Sequence, residues 1–246
     1  MESHMTVKDK RLSIGLLWQS LRCCNLGNGA LALSHISMLN HAARRAGRPV
    51  SIRVIENGGD YWYPPDDDNV TDEVLTEPHA QALPGTQLWR AVAECDVVLD
   101  LGNGDLFSDI YGLDYFYLVT CHRIAALAQR VPLVLSPQTI GPFRQDHLKP
   151  LVKQLSERCE KVFTRDTESR LLLEELGVAG VEQCVDVAFR LPFTRPQVTP
   201  GRKINLGLNV SGLLYHDATT GRFGFGLKED YRTLIRTLIS TLNSHP

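Results

Sequence analysis

Two short runs carry side chains that could bind and steer charge. In SPQTIGPF, residues 136–143, Gln138 and Thr139 lie between two prolines. In TRDTESRLLLEELG, residues 164–177, Arg165 and Asp166 head a leucine-rich helical pattern. Proline fixes its own φ and biases the preceding residue toward extended backbone, so the first run predicts a stiff loop presenting Gln138 and Thr139 at small entropic cost. The competing reading is a tight turn whose polar groups satisfy only the backbone. An arginine just ahead of a helix adds a guanidinium to the positive end of the helix dipole, a pairing that favours a phosphate or carboxylate. Its alternative is a structural ion pair with Asp166 or a glutamate.

Two glycine-rich runs offer different chemistry. CNLGNGA, residues 24–30, places Asn25, Gly27 and Asn28 at a helix N-terminus, where they hold an anion or a sugar hydroxyl, or simply form a turn and cap. Gly27, Gly29 and Ala32 fit the dinucleotide spacing, and Glu56 ends the next strand as a ribose-binding acid would. Against that reading, Gly27 lies nine residues beyond Trp18, whereas the fingerprint needs its first glycine directly after the strand. In LGNGDLFSD, residues 101–109, Gly104 lets a ligand approach the backbone, and Asp105 and Asp109 offer carboxylates to hydroxyl groups. Both carboxylates also suit solvated or capping roles, and Asp100 reads as structural. The eight histidines show no metal-ligand spacing, so no metal is expected, and His216 reads as a surface residue. Neither a GxSxG elbow nor a phosphate-binding GxxxxGK loop is present.

Short apolar runs alternate with helical patterns around these loops. Strands are expected at residues 12–18, 50–55, 96–101, 132–135, 162–164 and 183–187, with helices at 28–46, 87–94, 115–129, 147–159 and from Asp166 to Gly177. Residues 57–85, polar and rich in proline and aspartate, read as one long exposed loop, of the kind that serves as a lid, binds a ligand or is disordered. Mostly continuous apolar strands alternating with helices predict an α/β fold with an open, mostly parallel, Rossmann-like sheet. In such sheets ligands bind beyond the carboxyl ends of the strands, where all of these runs fall. Residues 1–190 then form one domain and the proline-rich segment 191–201 a linker. Residues 202–246, with a strand at 204–210 and a helix at 231–242, begin a second domain too small to enclose a core.

Bulk composition narrows the partners. The 246 residues are 43% hydrophobic and 22% charged, with a net charge of −2, so no polyanion-binding field and no nucleic-acid partner are implied. No apolar run reaches the ~18 residues of a membrane span, and MESHMTVKDK lacks the apolar centre of a secretory signal. Ser3, His4 and Met5 read as a cloning remnant outside the fold. Six scattered cysteines, several within apolar patterns, read as reduced buried thiols of a cytoplasmic protein. Adjacent Cys23 and Cys24 alone invite a reactive-thiol reading, beside the structural one.

Taken together, the runs NLGNGAL (25–31), DVVLDLGNGDLFSD (96–109), SPQTIGPF (136–143), FTRDTESRLLLEELGV (163–178), VDVAF (185–189) and INLGLNVSGLL (204–214) resemble the polysaccharide pyruvyl transferase family, in order and spacing, over nearly the whole chain. Two departures stand out. The family's unbroken glycine run is here interrupted, as Gly102-Asn103-Gly104, and its Arg/His motif does not occur before residue 246. The resemblance implies two Rossmann-like halves arranged as in GT-B glycosyltransferases, with the active site between them. It also implies transfer of the pyruvyl group of phosphoenolpyruvate onto hydroxyls of a cell-surface polysaccharide or its precursor, as a ketal, with release of phosphate. The donor is then a substrate and no cofactor is expected; the glycan acceptor is the other partner, and the setting is cytoplasmic. On this reading Arg165 forms part of a cationic clamp, while Asn25, Gly27, Asn28, Gly104, Asp105, Gln138 and Thr139 contact substrate. The general-acid histidine of the family is expected beyond residue 246, so this chain alone is expected to be inactive. A nucleotide-sugar glycosyltransferase and a non-catalytic glycan-binding module are the alternatives.

Overall fold

Strand β1, Leu12–Leu17, forms the axis of the fold and pairs in parallel with β2, Val50–Glu56, on one side and β4, Val97–Asp100, on the other. The computed structural model describes residues 11–76, 82–195, 206–220 and 227–244. The chain divides into two compact units, Met1–Phe193 and Thr194–Pro246. In the first, β3 (Val70–Val74), β5 (Leu133–Gln138), β6 (Lys161–Thr164) and β7 (Val181–Gln183) complete a seven-stranded sheet of order β3-β2-β1-β4-β5-β6-β7. Every pairing is parallel, which requires a crossover between neighbours. The chain is therefore α/β with an open Rossmann-like sheet.

Helix α1, Leu26–Ala46, connects β1 to β2. Asn25 caps it by accepting hydrogen bonds from the Gly27 and Asn28 amides, and Gly47 ends it in the left-handed region at φ 60°. Its Ala32 and Ile36 close over Ile14, Leu16, Ile52 and Val54. Helices α2 (Gln87–Ala93) and α3 (Leu113–Ala128) bury Leu88, Val92, Val119 and Ala125 with Leu17, Ile55, Val98 and Leu133. Helices α4 (Lys149–Glu157) and α5 (Thr167–Glu175) contribute Val152, Leu155 and Leu173 to a third cluster with Phe107, Phe116, Leu135 and Val162. Strand residues facing both ways are thus removed from water, as a parallel sheet requires.

Four expectations are corrected. The segment 57–85 is not one loop, because β3 pairs with β2 as an edge strand. Its sequence, VTDEV, carries charges that meet Arg22 and Arg53, and charged edges read as loop. Strand β5 continues three residues past the expected end at Leu135, through Pro137. Proline has no N–H for the ladder, and the register between β5 and β6 shifts there before pairing resumes at Gln138 and Thr164. The last strand of the sheet is Val181–Gln183 rather than 183–187: the chain leaves the sheet after Cys184, and residues Val187–Arg190 make a 3-10 turn capped by Asp186. Burial of the cysteines is partial. All six are free, but Cys24, Cys121 and Cys184 are exposed and only Cys95 is buried.

In the second unit, α6 (Gly212–Thr220) and α7 (Tyr231–Ser244) are joined by a hydrogen bond from the Ser211 amide to the Tyr231 hydroxyl, 3.1 Å, and by the Arg232 guanidinium over the Tyr215 ring. The helix expected at 231–242 is therefore present. The strand expected at 204–210 is not: residues 206–210 have no regular structure, and among the described residues of this unit no strand is available to pair with them. Residues 204 and 205 lie outside the described residues. His216 sits exposed on α6, in keeping with the surface position expected for it.

Candidate active site

A parallel sheet brings the loops that follow its strands to one edge. Neighbouring connections diverge between β1 and β4, where α1 leads to β2 on one side and the chain after β4 runs toward β5 on the other. The residues singled out in the sequence lie along this carboxyl edge.

Three buried polar groups fasten the loops after β4 and β5. The Asp100 carboxylate receives the Gly102 amide at 2.9 Å and the Nε of Arg123, which reaches in from α3. Arg123 Nη2 donates to Gln138 Oε1 at 3.1 Å, and Gln138 Nε2 donates to the carbonyls of Asp100 and Ser136. Asp100, Arg123 and Gln138 are all fully buried, and the Arg123 guanidinium lies 3.8 Å from the centre of the Phe107 ring. Gln138 is thus fixed inside the fold with both ends of its amide engaged. It meets no solvent-facing surface, which leaves it a positioning role rather than the substrate contact expected for it.

Thr139, the next residue, faces a second cluster. Its amide donates to the Gly104 carbonyl at 2.7 Å, its hydroxyl donates to Asp166 at 2.7 Å, and it accepts from Arg165 Nε at 2.9 Å. Arg165 Nη1 donates to Asp186 at 2.7 Å, so its ion-pair partner is Asp186 and not Asp166. Arg165 Nη2 makes no hydrogen bond among the described residues, and the side chain remains about a quarter exposed. Asp166 caps α5 by accepting the Ser169 amide at 2.8 Å. Burial pushes its carboxyl up, but bonds from Ser169 and Thr139 and the charge of Arg165 outweigh that and hold it below its ordinary value. The positive end of α5 is therefore already met by a carboxylate, and the guanidinium is the cationic group left facing this edge.

Gly104 makes this cluster possible. A Cβ there would lie 2.8 Å from Arg165 Nη1, and its φ of 96° belongs to glycine. Beside it, Asp105 accepts from the Tyr111 hydroxyl at 2.9 Å. Burial raises the Asp105 carboxyl above its usual range, against the lowering pull of Tyr111 and Arg165. Asp109 is buried and accepts the amides of Arg144 and Gln145 at 2.9 Å each, so it holds the loop after β5 and is structural. The Gly141–Pro142 peptide within that loop is cis.

The loop after β1 is fixed from beneath by Glu56. This carboxyl receives the amides of Leu21 and Arg22 and the Ser20 hydroxyl. Its pKa is raised to about 7, chiefly by burial and further by the neighbouring Asp72 carboxylate. Glu56 is therefore engaged with the chain itself, and Gly27 and Gly29 lie within the first turns of α1, so the ribose-binding and dinucleotide reading fails on both counts. Gln19 links the Leu99 carbonyl to His35 Nδ1 at 3.0 Å, and burial lowers His35 to about 4, which keeps it neutral. Residues 57–69 fold over this loop: the Tyr63 amide donates to the Leu21 carbonyl at 2.8 Å, and Arg22 lies 4.3 Å over the Trp62 ring.

Of two cavities, one lies at the site. One of about 170 Å³ opens at the β1–β4 divergence, lined by residues that include Trp18, Gln19, Asn28, Glu56, Asn103 and Tyr115. A second, of about 600 Å³, lies between α3 and α4 at the amino ends of β5 and β6, away from the loops of this edge. Among the described residues, no three histidine, cysteine, aspartate or glutamate side chains gather as metal ligands.

The sequence-derived residues thus separate into groups. Gly104, Asp105, Thr139 and Arg165 come together; Asn25, Gly27 and Asn28 form the start of α1, where Asn25 serves as the cap; Gln138 is buried behind both. Arg123, Tyr111 and the pairing of Asp186 with Arg165 were not anticipated. Arg123 lies in a helix whose sequence, LDYFYLVTCHRIAALA, gives no local sign that an arginine is buried. A family model described as polysaccharide pyruvyl transferase matches residues 18–244, most of the chain and every loop of this edge.

Proposed function

Because the chain belongs to the polysaccharide pyruvyl transferase family, an enzyme family whose acceptor is a glycan, we propose that its donor is phosphoenolpyruvate and that Arg165 binds the donor's anionic groups. The observation that carries this reading is the state of that guanidinium. Asp186 and Thr139 fix two of its nitrogens, while Nη2 is left without a partner among the described residues, at a partly exposed edge beside Asp105. An oriented arginine with one edge available suits a phosphate or carboxylate better than a mobile one, since less entropy is lost on binding.

The reaction then balances as follows. A proton adds to the methylene carbon of phosphoenolpyruvate, leaving positive charge on the carbon that bears the phosphate oxygen. One acceptor hydroxyl attacks that carbon and loses its proton, and a second displaces phosphate, closing the ketal. Two hydroxyl protons are released: one replaces that used on the methylene, and the other leaves with phosphate. Asp105, raised by burial, is assigned to receive a proton from an attacking hydroxyl, since a carboxylate raised in this way is the stronger base. Gly104 and Thr139 contribute by position, holding Arg165 against the loop after β4. The cytoplasm, which contains phosphoenolpyruvate, is the proposed setting; no helix among the described residues is long and apolar enough to cross a membrane.

Calorimetric titration of phosphoenolpyruvate into the wild-type chain and the Arg165→Ala variant tests this. Loss of a charge-assisted contact of ~1.5–3 kcal/mol corresponds to affinity weaker by roughly 10- to 100-fold. Equal affinities for the two proteins would remove Arg165 from the donor site.

A further inference from the structure

Among the described residues only Trp18, Asn103 and Arg130 have positive φ without being glycine. Two of them meet at the β1–β4 divergence: the Asn103 amide donates to the Trp18 carbonyl at 2.7 Å, with φ of 51° at Trp18 and 45° at Asn103. Asn103 is flanked by Gly102 at 55° and Gly104 at 96°, so three consecutive residues are left-handed. Such backbone persists only where its surroundings over-determine it, and it gathers at functional sites. Both residues line the cavity of about 170 Å³, and both carry a buried polar atom without a hydrogen-bond partner among the described residues, Trp18 Nε1 and Asn103 Oδ1. Buried polar groups are normally paired, and here one donor and one acceptor are left beside the same cavity.

We propose that this cavity binds one uncharged pyranose ring of the acceptor glycan, with Trp18 Nε1 donating to a ring hydroxyl and Asn103 Oδ1 accepting from one. The assignment rests on the transferase reading above and adds to it a place for the sugar. A hydroxyl both accepts and donates, so a diol satisfies an indole N–H and an amide oxygen together. A fully ionised phosphate has only acceptors; it would leave Asn103 Oδ1 unpaired and would face Glu56. Among the described residues the one arginine lining the cavity, Arg22, is already engaged by Asp72 and by the Trp62 ring. The volume is below the ~300–1,000 Å³ typical of drug-sized ligands, which suits a single ring rather than a nucleotide. Trp18 is held in place by stacking on His122, with centroids 5.0 Å apart, and half-exposed Tyr115 stands at the cavity wall. The arrangement also brings the sugar to the donor: Asn103 lines the cavity while Gly104, the next residue, packs on Arg165.

The test is heteronuclear NMR of the whole chain, following the indole N–H signals of Trp18, Trp62 and Trp89, with Trp18→Phe identifying the first. The probes are the methyl pyranosides of glucose, galactose and mannose, and separately phosphoenolpyruvate. At least one methyl pyranoside should move the Trp18 signal saturably, while phosphoenolpyruvate leaves that signal in place. Asn103→Gly, which relieves the left-handed position and so should fold, is expected to weaken the sugar titration about tenfold, by loss of one buried hydrogen bond, with phosphoenolpyruvate affinity unchanged. The proposal is overturned if no methyl pyranoside moves the Trp18 signal up to its solubility limit, if phosphoenolpyruvate moves it instead, or if Asn103→Gly leaves the sugar affinity as it was. Failure of the donor reading would show separately, as phosphoenolpyruvate affinity that does not depend on Arg165.

Discussion

Replacing Arg123 with methionine tests whether the buried ion pair holds the site together. Methionine fills much of the space of the arginine stem and keeps contact with Phe107, so the change is chiefly the loss of the guanidinium. Asp100, fully buried, would keep the Gly102 amide as a donor but lose its charge partner, and Gln138 Oε1 would lose the one hydrogen bond it accepts among the described residues. Removing one partner of a buried pair costs about 3–5 kcal/mol, of which an unsatisfied amide oxygen accounts for roughly 1–3. In the double variant Asp100→Asn/Arg123→Met no charge remains buried, while the introduced side-chain amide can still accept from Gly102, so only the Gln138 part of the loss should persist. The double variant is therefore expected to be about 2 kcal/mol more stable than the single one, although it departs further from the natural sequence. Urea denaturation followed by circular dichroism measures this. With a slope near 1–3 kcal/mol per molar, the single variant's midpoint falls by roughly 1–5 M and the double variant recovers part of it. A double variant no more stable than Arg123→Met would refute the reasoning, because an uncompensated Asp100 charge would then not be the source of the cost.

Two further changes probe the loops. Glu56 titrates near 7 in the fold against an ordinary value of 4.5, so the native state binds more protons than the unfolded chain across that interval. Its contribution to stability is fully present below about pH 4.5 and is lost as pH rises toward about 7, a decline of order 2–3 kcal/mol that should be absent in Glu56→Gln; parallel urea midpoints of the two proteins between about pH 5 and about pH 8 would sink the assignment. Gly104→Ala places a Cβ 2.8 Å from Arg165 Nη1 at a φ of 96°, so it should lower stability by roughly 1–3 kcal/mol and weaken phosphoenolpyruvate binding as Arg165 is pushed aside. Calorimetry showing wild-type donor affinity in Gly104→Ala would mean that Arg165 does not need its present seat.

The sheet was legible where burial is two-sided. LSIGLL, VSIRVI and DVVLD are apolar because both faces are covered, and that alone orders β1, β2 and β4. It failed where an element is defined by its neighbours. Strand β3 is a charged edge whose register comes from β2, and β5 runs on through Pro137 because Gln138 can still pair with Thr164. Within the site, Arg165 and Asp166 were legible from their place before a helix, and Asp166 as a cap follows from local geometry. The partner of Arg165 was not: Asp186 lies twenty-one residues on and reaches Arg165 only because the chain turns out of the sheet after β7. Gln138 was misread for a related reason. A glutamine between two prolines looks exposed, and only Arg123, from another element, draws it into the core.

These contacts explain why strain and buried charge occur side by side here. A parallel sheet delivers its loops to one edge but supplies no ladder to hold them, so the loops after β1, β4 and β5 must find other partners. Each is held from below by a group whose alternative partners have been removed by burial: Glu56 for residues 20–22, Asp100 with Arg123 for residues 101–104, and Gln138 for the exit from β5. Fixed from beneath, the segment 102–104 can remain left-handed, which places Asn103 at the cavity wall and lets Arg165 close on Gly104. The proposed anion site and the proposed sugar site then lie one residue apart on the same turn. Loosening the buried supports should therefore impair both together, whereas Arg165→Ala and Asn103→Gly should each impair one; that difference separates support from contact.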